Sequence, residues 1–251
     1  MTILKFASLL FFTIHLLTAQ AQENSADDKT SRVEISDRKN PELRSYAQMQ
    51  KGMKAYNEKH SLAPDSELYF ILIPKSKSVG VQGLTMRLAS DDTSTNIPID
   101  ASGKFQLPYI ELKKDDEYDL ILNKPKGQFL IKPYVKSANL PDDVKRMGDL
   151  RLECQVRWAI EKQDVSVVFS TYVKLLASGN PCTSRTVAVH FFAPNNIDSI
   201  TLDTTKTKLS FRVSSDRDYT VPLWDAELND DGLLKYERST ASTHKQPMQG
   251  E

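Results

Sequence analysis

The chain has 251 residues, of which 33 are basic and 33 acidic. This balance favours neither nucleic acid nor an anionic membrane surface as a partner, because neither attracts a protein without excess positive charge. The length allows a sizeable core, in one large all-β domain or in two smaller ones.

The first 21 residues have the pattern of a secretory signal peptide. Lys5 precedes an apolar run from Phe6 to Leu17, and Ala19-Gln20-Ala21 has the small-x-small form that signal peptidase reads. The run is about a dozen residues, shorter than the roughly twenty that cross a bilayer, so we expect cleavage without membrane insertion. The mature chain is predicted to begin near Gln22 and to be periplasmic or secreted. Without Lys5 it would carry 32 basic and 33 acidic residues, a net charge of −1.

A flexible leader and a helix are predicted next. Residues 22–39 are polar and charged, with too few apolar side chains to offset the entropy of ordering them. Asn40, Pro41 and Glu42 then have the residue types of a helix start: a cap, a first-turn proline and an acid near the positive dipole end. The near-helical spacing of apolar residues predicts an amphipathic helix that docks on the rest of the protein. These residues are Leu43, Tyr46, Met49, Met53 and Tyr56.

From Glu67 the apolar period changes from 3.6 to 2, which predicts strands. Residues 40–136 are therefore interpreted as the N-terminal helix plus a β-sandwich-like half. The predicted strands cover 68–73, 84–88, 105–109, 118–122 and 129–135, with turn signals between them.

The region from 150 to 177 combines two patterns. Strict alternation of Leu150, Leu152, Cys154, Val156, Trp158 and Ile160 with polar residues predicts a half-buried antiparallel strand. A helix inserted over 165–177 is predicted because Val165, Val168, Phe169, Tyr172, Leu175 and Leu176 follow helical spacing. The β-branched content of this segment leaves a strand as the alternative.

Further alternating runs at 187–191, 200–202, 209–213 and 219–223 complete a second β-rich half, residues 137–236, and residues 237–251 are predicted to be a disordered tail. The predicted fold class is mainly β: an antiparallel β-sandwich, in one or two sheet-rich halves, with an N-terminal amphipathic helix and one inserted helix.

The two cysteines, Cys154 and Cys182, are predicted to form a disulfide, because thiols are oxidised in exported proteins. Closing a loop of about 28 residues would stabilise the fold by roughly 3 to 4 kcal/mol. The alternative is a reactive pair, but redox motifs place their cysteines about two residues apart.

Three segments resemble the transthyretin-like, carboxypeptidase-regulatory-type β-sandwich module: GLTMRL at 83–88, DASGKFQLP at 100–108 and YDLIL at 118–122. In that family a D-x-x-G-x-F-x-L-P turn and strand precede a Y-x-L-x-L strand. The resemblance implies a non-catalytic module. Residues 148–154 and 222–225 resemble segments of a family of exported proteins of Gram-negative bacteria, which implies a compartment and no particular activity.

No metal, cofactor or catalytic residue is assigned from the sequence. His60, His190 and His244 share no ligand spacing, and a zinc site needs three or four converging ligands. The acidic segment 225–232 fails as a calcium loop, because Asp230 stands where an EF-hand requires glycine and Tyr236 where it requires a bidentate acid.

The function predicted is that of an exported, non-catalytic interaction or binding module of the bacterial cell envelope, with an envelope protein or glycan as partner. Five aromatic residues are candidates for a sugar-stacking platform, but we interpret them as core or rim: Tyr109, Tyr134, Trp158, Tyr219 and Trp224. Two alternatives stay open. One is a periplasmic hydrolase of glycans or peptides whose two carboxylates meet only in three dimensions, and the other is a carrier of an apolar ligand.

Overall fold

A computed structural model describes residues 40–238. The predicted signal peptide, the leader and residues 239–251 of the predicted tail lie outside the described residues. Residues 237 and 238, which the prediction placed in that tail, belong to the strand Leu233–Arg238. Across this range the chain forms antiparallel sheets with three α-helices, which confirms the mainly β class.

The strands are β1 Pro41–Ser45, β2 Ser66–Pro74, β3 Met86–Ala89, β4 Ser94–Ile97, β5 Lys104–Phe105, β6 Asp119–Pro125, β7 Phe129–Ser137, β8 Val144–Arg146, β9 His190–Phe192, β10 Ile197–Asp203, β11 Lys208–Arg212, β12 Asp218–Thr220 and β13 Leu233–Arg238. The helices are α1 Tyr46–Glu58, α2 Met147–Glu161 and α3 Val167–Leu176, and short 3₁₀ turns occur at His60–Leu62 and Pro181–Thr183.

Two sheets in the first half enclose one core. One has the strand order β1-β6-β3-β4 and the other β5-β2-β7. The alternating residues of both sheets contribute to a single buried cluster, as expected for strands with one buried face. The first sheet supplies Met86, Leu88, Leu120 and Leu122, and the second supplies Phe70, Leu72, Phe105 and Val135.

The second half has its own buried cluster. A sheet of order β11-β10-β13-β8 and the pair β12-β9 surround it. Strand β13, which lies between β10 and β8, is missing from the sequence prediction although Leu234 and Tyr236 alternate on its buried face. A run of six residues with two buried positions is too short a signal to stand out.

The predicted start of the first helix is wrong. Residues Pro41–Ser45 form β1, which pairs antiparallel with β6, and α1 begins at Tyr46. A proline at the beginning of an edge strand leaves no ladder hydrogen bond unmade, so Pro41 is compatible with both structures. The partner strand β6 decides between them, and it lies about 80 residues further along the chain.

The predicted strand at 150–160 is also wrong, because these residues lie in α2. Leu152, Val156 and Ile160 belong to the first buried cluster, whereas Leu150 and Cys154 belong to the second. Positions two apart are about 200° apart on a helix. A helix buried on two opposite faces therefore gives the same period of two as a strand buried on one face.

The start of α2 is fixed by a buried carboxylate. Asp149 is fully buried and accepts hydrogen bonds from the backbone N–H of Arg146 at 3.0 Å and of Ser137 at 3.1 Å. The Ser137 hydroxyl donates a third bond at 2.6 Å. Since Ser137 ends β7, Asp149 both caps the helix and joins it to the first half of the molecule.

The predicted disulfide is confirmed. Cys154 in α2 is bonded to Cys182 in the second 3₁₀ turn, with their Cα atoms 5.7 Å apart. The closed loop contains all of α3. The covalent bond therefore attaches the segment that follows α3 to α2.

Candidate interaction surface

Helix α3 has local signals at both ends. The hydroxyl of Ser166 accepts a hydrogen bond from the backbone N–H of Phe169 at 3.2 Å, which caps the first turn. At the other end Gly179 has φ +80° and donates its backbone N–H to the carbonyl of Val173 at 3.1 Å. This ending is typical of glycine, which adopts positive φ without a steric penalty. The helix predicted at 165–177 is thus confirmed.

Only a narrow strip of α3 is buried. Val173 and Ala177 pack with Val187 in a small cluster, and Trp158 of α2 lies against it. The indole N–H of Trp158 donates to the carbonyl of Gly179 at 3.0 Å. These contacts hold α3 on the protein through one side of its C-terminal half.

The rest of the helix presents apolar side chains to solvent. Six large apolar residues of α3 are exposed, three of them by more than three quarters. They are Val167 (82%), Val168 (81%), Phe169 (40%), Tyr172 (41%), Leu175 (77%) and Leu176 (53%). Within residues 40–238 only two other large apolar side chains are exposed, Leu43 (46%) and Tyr109 (75%). We call the six residues of α3 the α3 face.

The segment that leads into α3 is held by polar contacts with the first half. Asp164 accepts a hydrogen bond from the Arg44 guanidinium at 2.9 Å and another from the Gln48 side-chain amide at 2.9 Å. Lys51 of α1 donates to the side-chain oxygen of Gln163 at 2.5 Å. The α3 face is therefore anchored before its first turn by α1 and after its last turn by the disulfide.

A charge cluster at the end of α2 supports the same segment. Glu161 accepts from Lys132 at 2.5 Å and from the Arg157 side chain at 3.0 Å. Burial favours the neutral acid, but the two cations outweigh it and hold the pKa of Glu161 below its ordinary value. Burial and the nearby Arg157 lower the pKa of Lys132.

A concavity adjoins the base of α3. Its volume is about 290 Å³, and Thr186, which lines it, accepts a hydrogen bond from the Tyr172 hydroxyl through its carbonyl at 3.4 Å. The guanidinium of Arg185 lies 4.2 Å from the centre of the Trp224 ring in the same concavity. The segment 184–187 thus has α3 on one side and this concavity on the other.

A second concavity, about 540 Å³, lies between α1 and β2. Its lining includes Tyr56, Glu67 and the exposed Tyr109. It contains one carboxylate, that of Glu67, and the concavity beside α3 contains none. Neither of these two places brings together the carboxylate pair that a hydrolase of the predicted kind would use.

Most of the described residues considered for metal sites have contacts within the protein. The ring nitrogen Nδ1 of His190 lies 2.6 Å from the Asp218 carboxylate, and His60 contacts the ring of Tyr56. Asp230, in the segment 225–232 that was considered as a calcium loop, forms an ion pair with Arg151 at 2.5 Å. His244 lies outside the described residues. Between residues 40 and 238 no three His, Cys, Asp or Glu side chains converge as metal ligands would.

The five aromatic residues considered for sugar binding have different environments. Tyr219 is buried in the second cluster, and Trp158 packs beneath α3. Tyr109 is 75% exposed and lines the concavity between α1 and β2. Tyr134 lies under the Lys145 ammonium, and Trp224 under the Arg185 guanidinium. Most of these residues therefore have partners within the protein.

The sequence predicted the helix but not which side of it is buried. The apolar stripe of Val168, Tyr172 and Leu175 has the spacing of a core-facing stripe, and the structure exposes it. The anchor Val173 lies off that stripe. Nothing in the local sequence separates a stripe that packs on the protein's own core from one that remains open.

Comparison with known protein families, curated proteins and solved structures finds no match to this chain. The segments that resemble the transthyretin-like module lie in both sheets of the first half: β3 pairs with β6 in one sheet, and β5 pairs with β2 in the other. The resemblance stays a prediction. No helix within residues 40–238 has both the length and the apolar character required to cross a bilayer.

Proposed function

We propose that this chain is an exported, non-catalytic interaction module of the bacterial cell envelope, which binds a protein partner through the α3 face. The observation that carries the proposal is the concentration of exposed apolar side chains: six of the eight large ones exposed within residues 40–238 lie on this ten-residue helix. Scattered single residues are normal on a protein surface, whereas a contiguous patch marks a binding site.

The size of the patch supports binding. Six side chains with these exposures present on the order of 600 Å² of apolar surface, at the upper end of what monomeric proteins expose. Each Å² removed from water contributes roughly 25 cal/mol. The side chains of the α3 face other than Tyr172 carry no hydrogen-bonding group, which favours a protein partner over a glycan.

The anchoring of α3 supports the same function. A helix fixed at both ends loses little conformational freedom when it binds, so less of the interaction energy is spent on ordering it. Disulfides persist in oxidising compartments, and the bond between Cys154 and Cys182 agrees with export by the predicted signal. The envelope location is a proposal that rests on residues 1–21.

Photo-crosslinking in living cells tests the proposal. A benzoylphenylalanine at Val168 should give a covalent protein adduct on irradiation, while the same group at Thr95, an exposed position of β4, should not. Absence of an adduct at Val168, Tyr172 and Leu175 would contradict binding through α3.

Cell fractionation with N-terminal sequencing tests export. A periplasmic or secreted chain beginning near Gln22 is expected, and a cytosolic chain with its leader intact would contradict export.

A further inference from the structure

We infer that the partner of the α3 face is α3 of a second copy of this chain, so that the protein forms a two-fold dimer through a pair of antiparallel helices. The inference rests on the proposed function and identifies its partner. Three features carry it: the charge distribution on α3, the spacing of its outward residues, and the area of the face.

The charge distribution suits contact with an identical surface. A two-fold axis sets a surface against itself, so that a charge near the axis meets its own like charge. Between residues 165 and 177 the single charged residue is Lys174. It follows Val173, which packs on the protein, and therefore lies on the flank of the exposed arc. The middle of the α3 face carries no charge.

The spacing of the outward residues suits helix packing. Val168, Thr171, Tyr172 and Leu175 lie at i, i+3, i+4 and i+7, which is one continuous helix face. With the axis near Thr171, an antiparallel pair would place Val168 against Leu175 of the second copy. Thr171 is the smallest of the four, and a small residue at a crossing lets two helices approach closely.

The area meets the requirement for a specific dimer. If both faces were fully covered, the two copies together would bury on the order of 1,200 Å², at the lower limit for stable protein interfaces. This predicts a dimer that dissociates on dilution. A membrane surface fits less well, because helices that lie in the interface carry a basic polar face, whereas the side of α3 opposite its exposed arc packs Val173 and Ala177 on the protein.

Sedimentation velocity of the purified exported protein over a range of concentrations tests the inference. The mass should double as concentration rises, and V168K together with L175K should keep the chain monomeric at every concentration. Tyr109, which is 75% exposed and lies outside α3, supplies the matched control: Y109K should dimerise as the unsubstituted chain does. Circular dichroism and urea unfolding establish that the variants remain folded, as their exposed positions predict.

The axis is tested by an engineered crosslink. T171C should form a disulfide-linked dimer under mild oxidation, and T95C should not. Three results would overturn the inference: a monomer at all concentrations, a dimer that the two lysines leave intact, or a monomer that co-sediments through α3 with vesicles of phosphatidylethanolamine and phosphatidylglycerol.

The two proposals fail in different ways. If the purified chain is monomeric and the crosslinker at Val168 captures a different protein, the second copy is excluded as partner and binding through α3 remains. If neither an adduct nor a dimer forms, both proposals are wrong.

Discussion

The ammonium group of Lys145 lies 2.6 Å from the carboxylate of Glu153, and both side chains are almost completely shielded from water. Lys145 belongs to β8 and Glu153 to α2, and Glu153 also accepts the backbone N–H of Val135 in β7 at 3.0 Å. Burial disfavours the charged ammonium of Lys145. The Glu153 carboxylate, with Tyr236 and Tyr134, outweighs the effect of burial and holds the pKa of Lys145 above its ordinary value. This pair therefore connects the sheet β11-β10-β13-β8 of the second half to the first half of the molecule.

Removal of one partner should be costly. K145M leaves the Glu153 carboxylate buried without its cation, and we expect a loss of about 3 to 5 kcal/mol in the free energy of unfolding. E153Q alone should also destabilise, while the double variant should lose less than the sum of the two, because neither charge is then left unpaired. Urea unfolding of the four proteins measures this coupling. The exposed pair of Lys54 and Glu58 is the control, for which K54M should change stability by less than about 0.5 kcal/mol. Additive losses at Lys145 and Glu153 would contradict the pairing.

The buried tyrosines predict a loss of stability in alkali. The hydroxyls of Tyr219 and Tyr236 lie 2.7 Å apart, and burial raises the pKa of Tyr236 to about 12 from an ordinary 10.0. Below pH 10 both the folded and the unfolded chain hold this proton. Between about pH 10 and pH 12 the unfolded chain releases it first, so the free energy of unfolding should fall as pH rises, by about 2 to 3 kcal/mol for this group.

Urea unfolding across that pH range measures the effect. Y236F should be less stable near neutral pH, because Tyr219 loses its partner, but its stability should fall less steeply in alkali. Y109F at the exposed Tyr109 should follow the parent protein. An equally steep fall for Y236F would show that Tyr236 is not responsible.

A close backbone contact predicts that Gly148 tolerates no side chain. A Cβ at this position would lie 2.0 Å from the carbonyl oxygen of Leu62 and 3.1 Å from the Cβ of Asp230. The obstacle at Leu62 is backbone and cannot rotate away, so G148A should destabilise by about 3 kcal/mol or prevent folding. At Gly80 the nearest obstacle is the end of the flexible Gln82 side chain, and G80A should cost less than about 1 kcal/mol. Equal unfolding midpoints for the two variants would contradict this packing.

The sequence predicted most of the longer elements whose burial is one-sided, whereas the short strand β13 was missed. β2, β6 and β7 each have one face in the first cluster, so their alternation was read correctly. The helix α2 is buried on two opposite faces, and its apolar positions therefore alternate as those of a strand do. Only the contacts of α2 with both clusters distinguish a helix from a strand here, and these contacts come from residues distant in the chain.

The sequence predicted the helix that carries the candidate surface, but not the surface itself. The spacing around Val168 and Tyr172 correctly gave a helix, and Cys154 and Cys182 gave the bond that anchors it. The exposure of this stripe could not be predicted, because an exposed apolar stripe has the same composition as one that packs on the protein's own core. What decides between them is whether another element covers the exposed side of the helix, and the packing of Val173 and Ala177 holds only the opposite side.

The disulfide should contribute both to stability and to the position of α3. Replacement of Cys154 and Cys182 by alanine opens a loop of about 28 residues and should lower the free energy of unfolding by roughly 3 to 4 kcal/mol. Because the loop contains α3, the amide hydrogens of residues 169–177 should exchange faster than in the parent protein, beyond the change in global stability. Hydrogen exchange with mass spectrometry measures this. Unchanged protection of α3 relative to α1 would show that the contacts of Val173 and Trp158 suffice to hold it.

Two valines on opposite sides of α3 separate its anchor from its exposed face. Val173 is 1% exposed, and V173A should cost about 2 kcal/mol because two methyl groups leave a packed cluster. Val168 is 81% exposed, and V168A should change the stability of the dilute monomer by less than about 0.5 kcal/mol.

The concentration dependence of these two variants connects stability to association. A second copy bound to α3 stabilises the folded chain by mass action, so the unfolding midpoint of the parent protein should rise with its concentration. V168A weakens the contact and should reduce that rise, while V173A should lower the midpoint at every concentration. Thermal unfolding of the three proteins at low and high concentration measures both effects. A large cost of V168A in dilute solution would mean that another part of the same chain covers the α3 face.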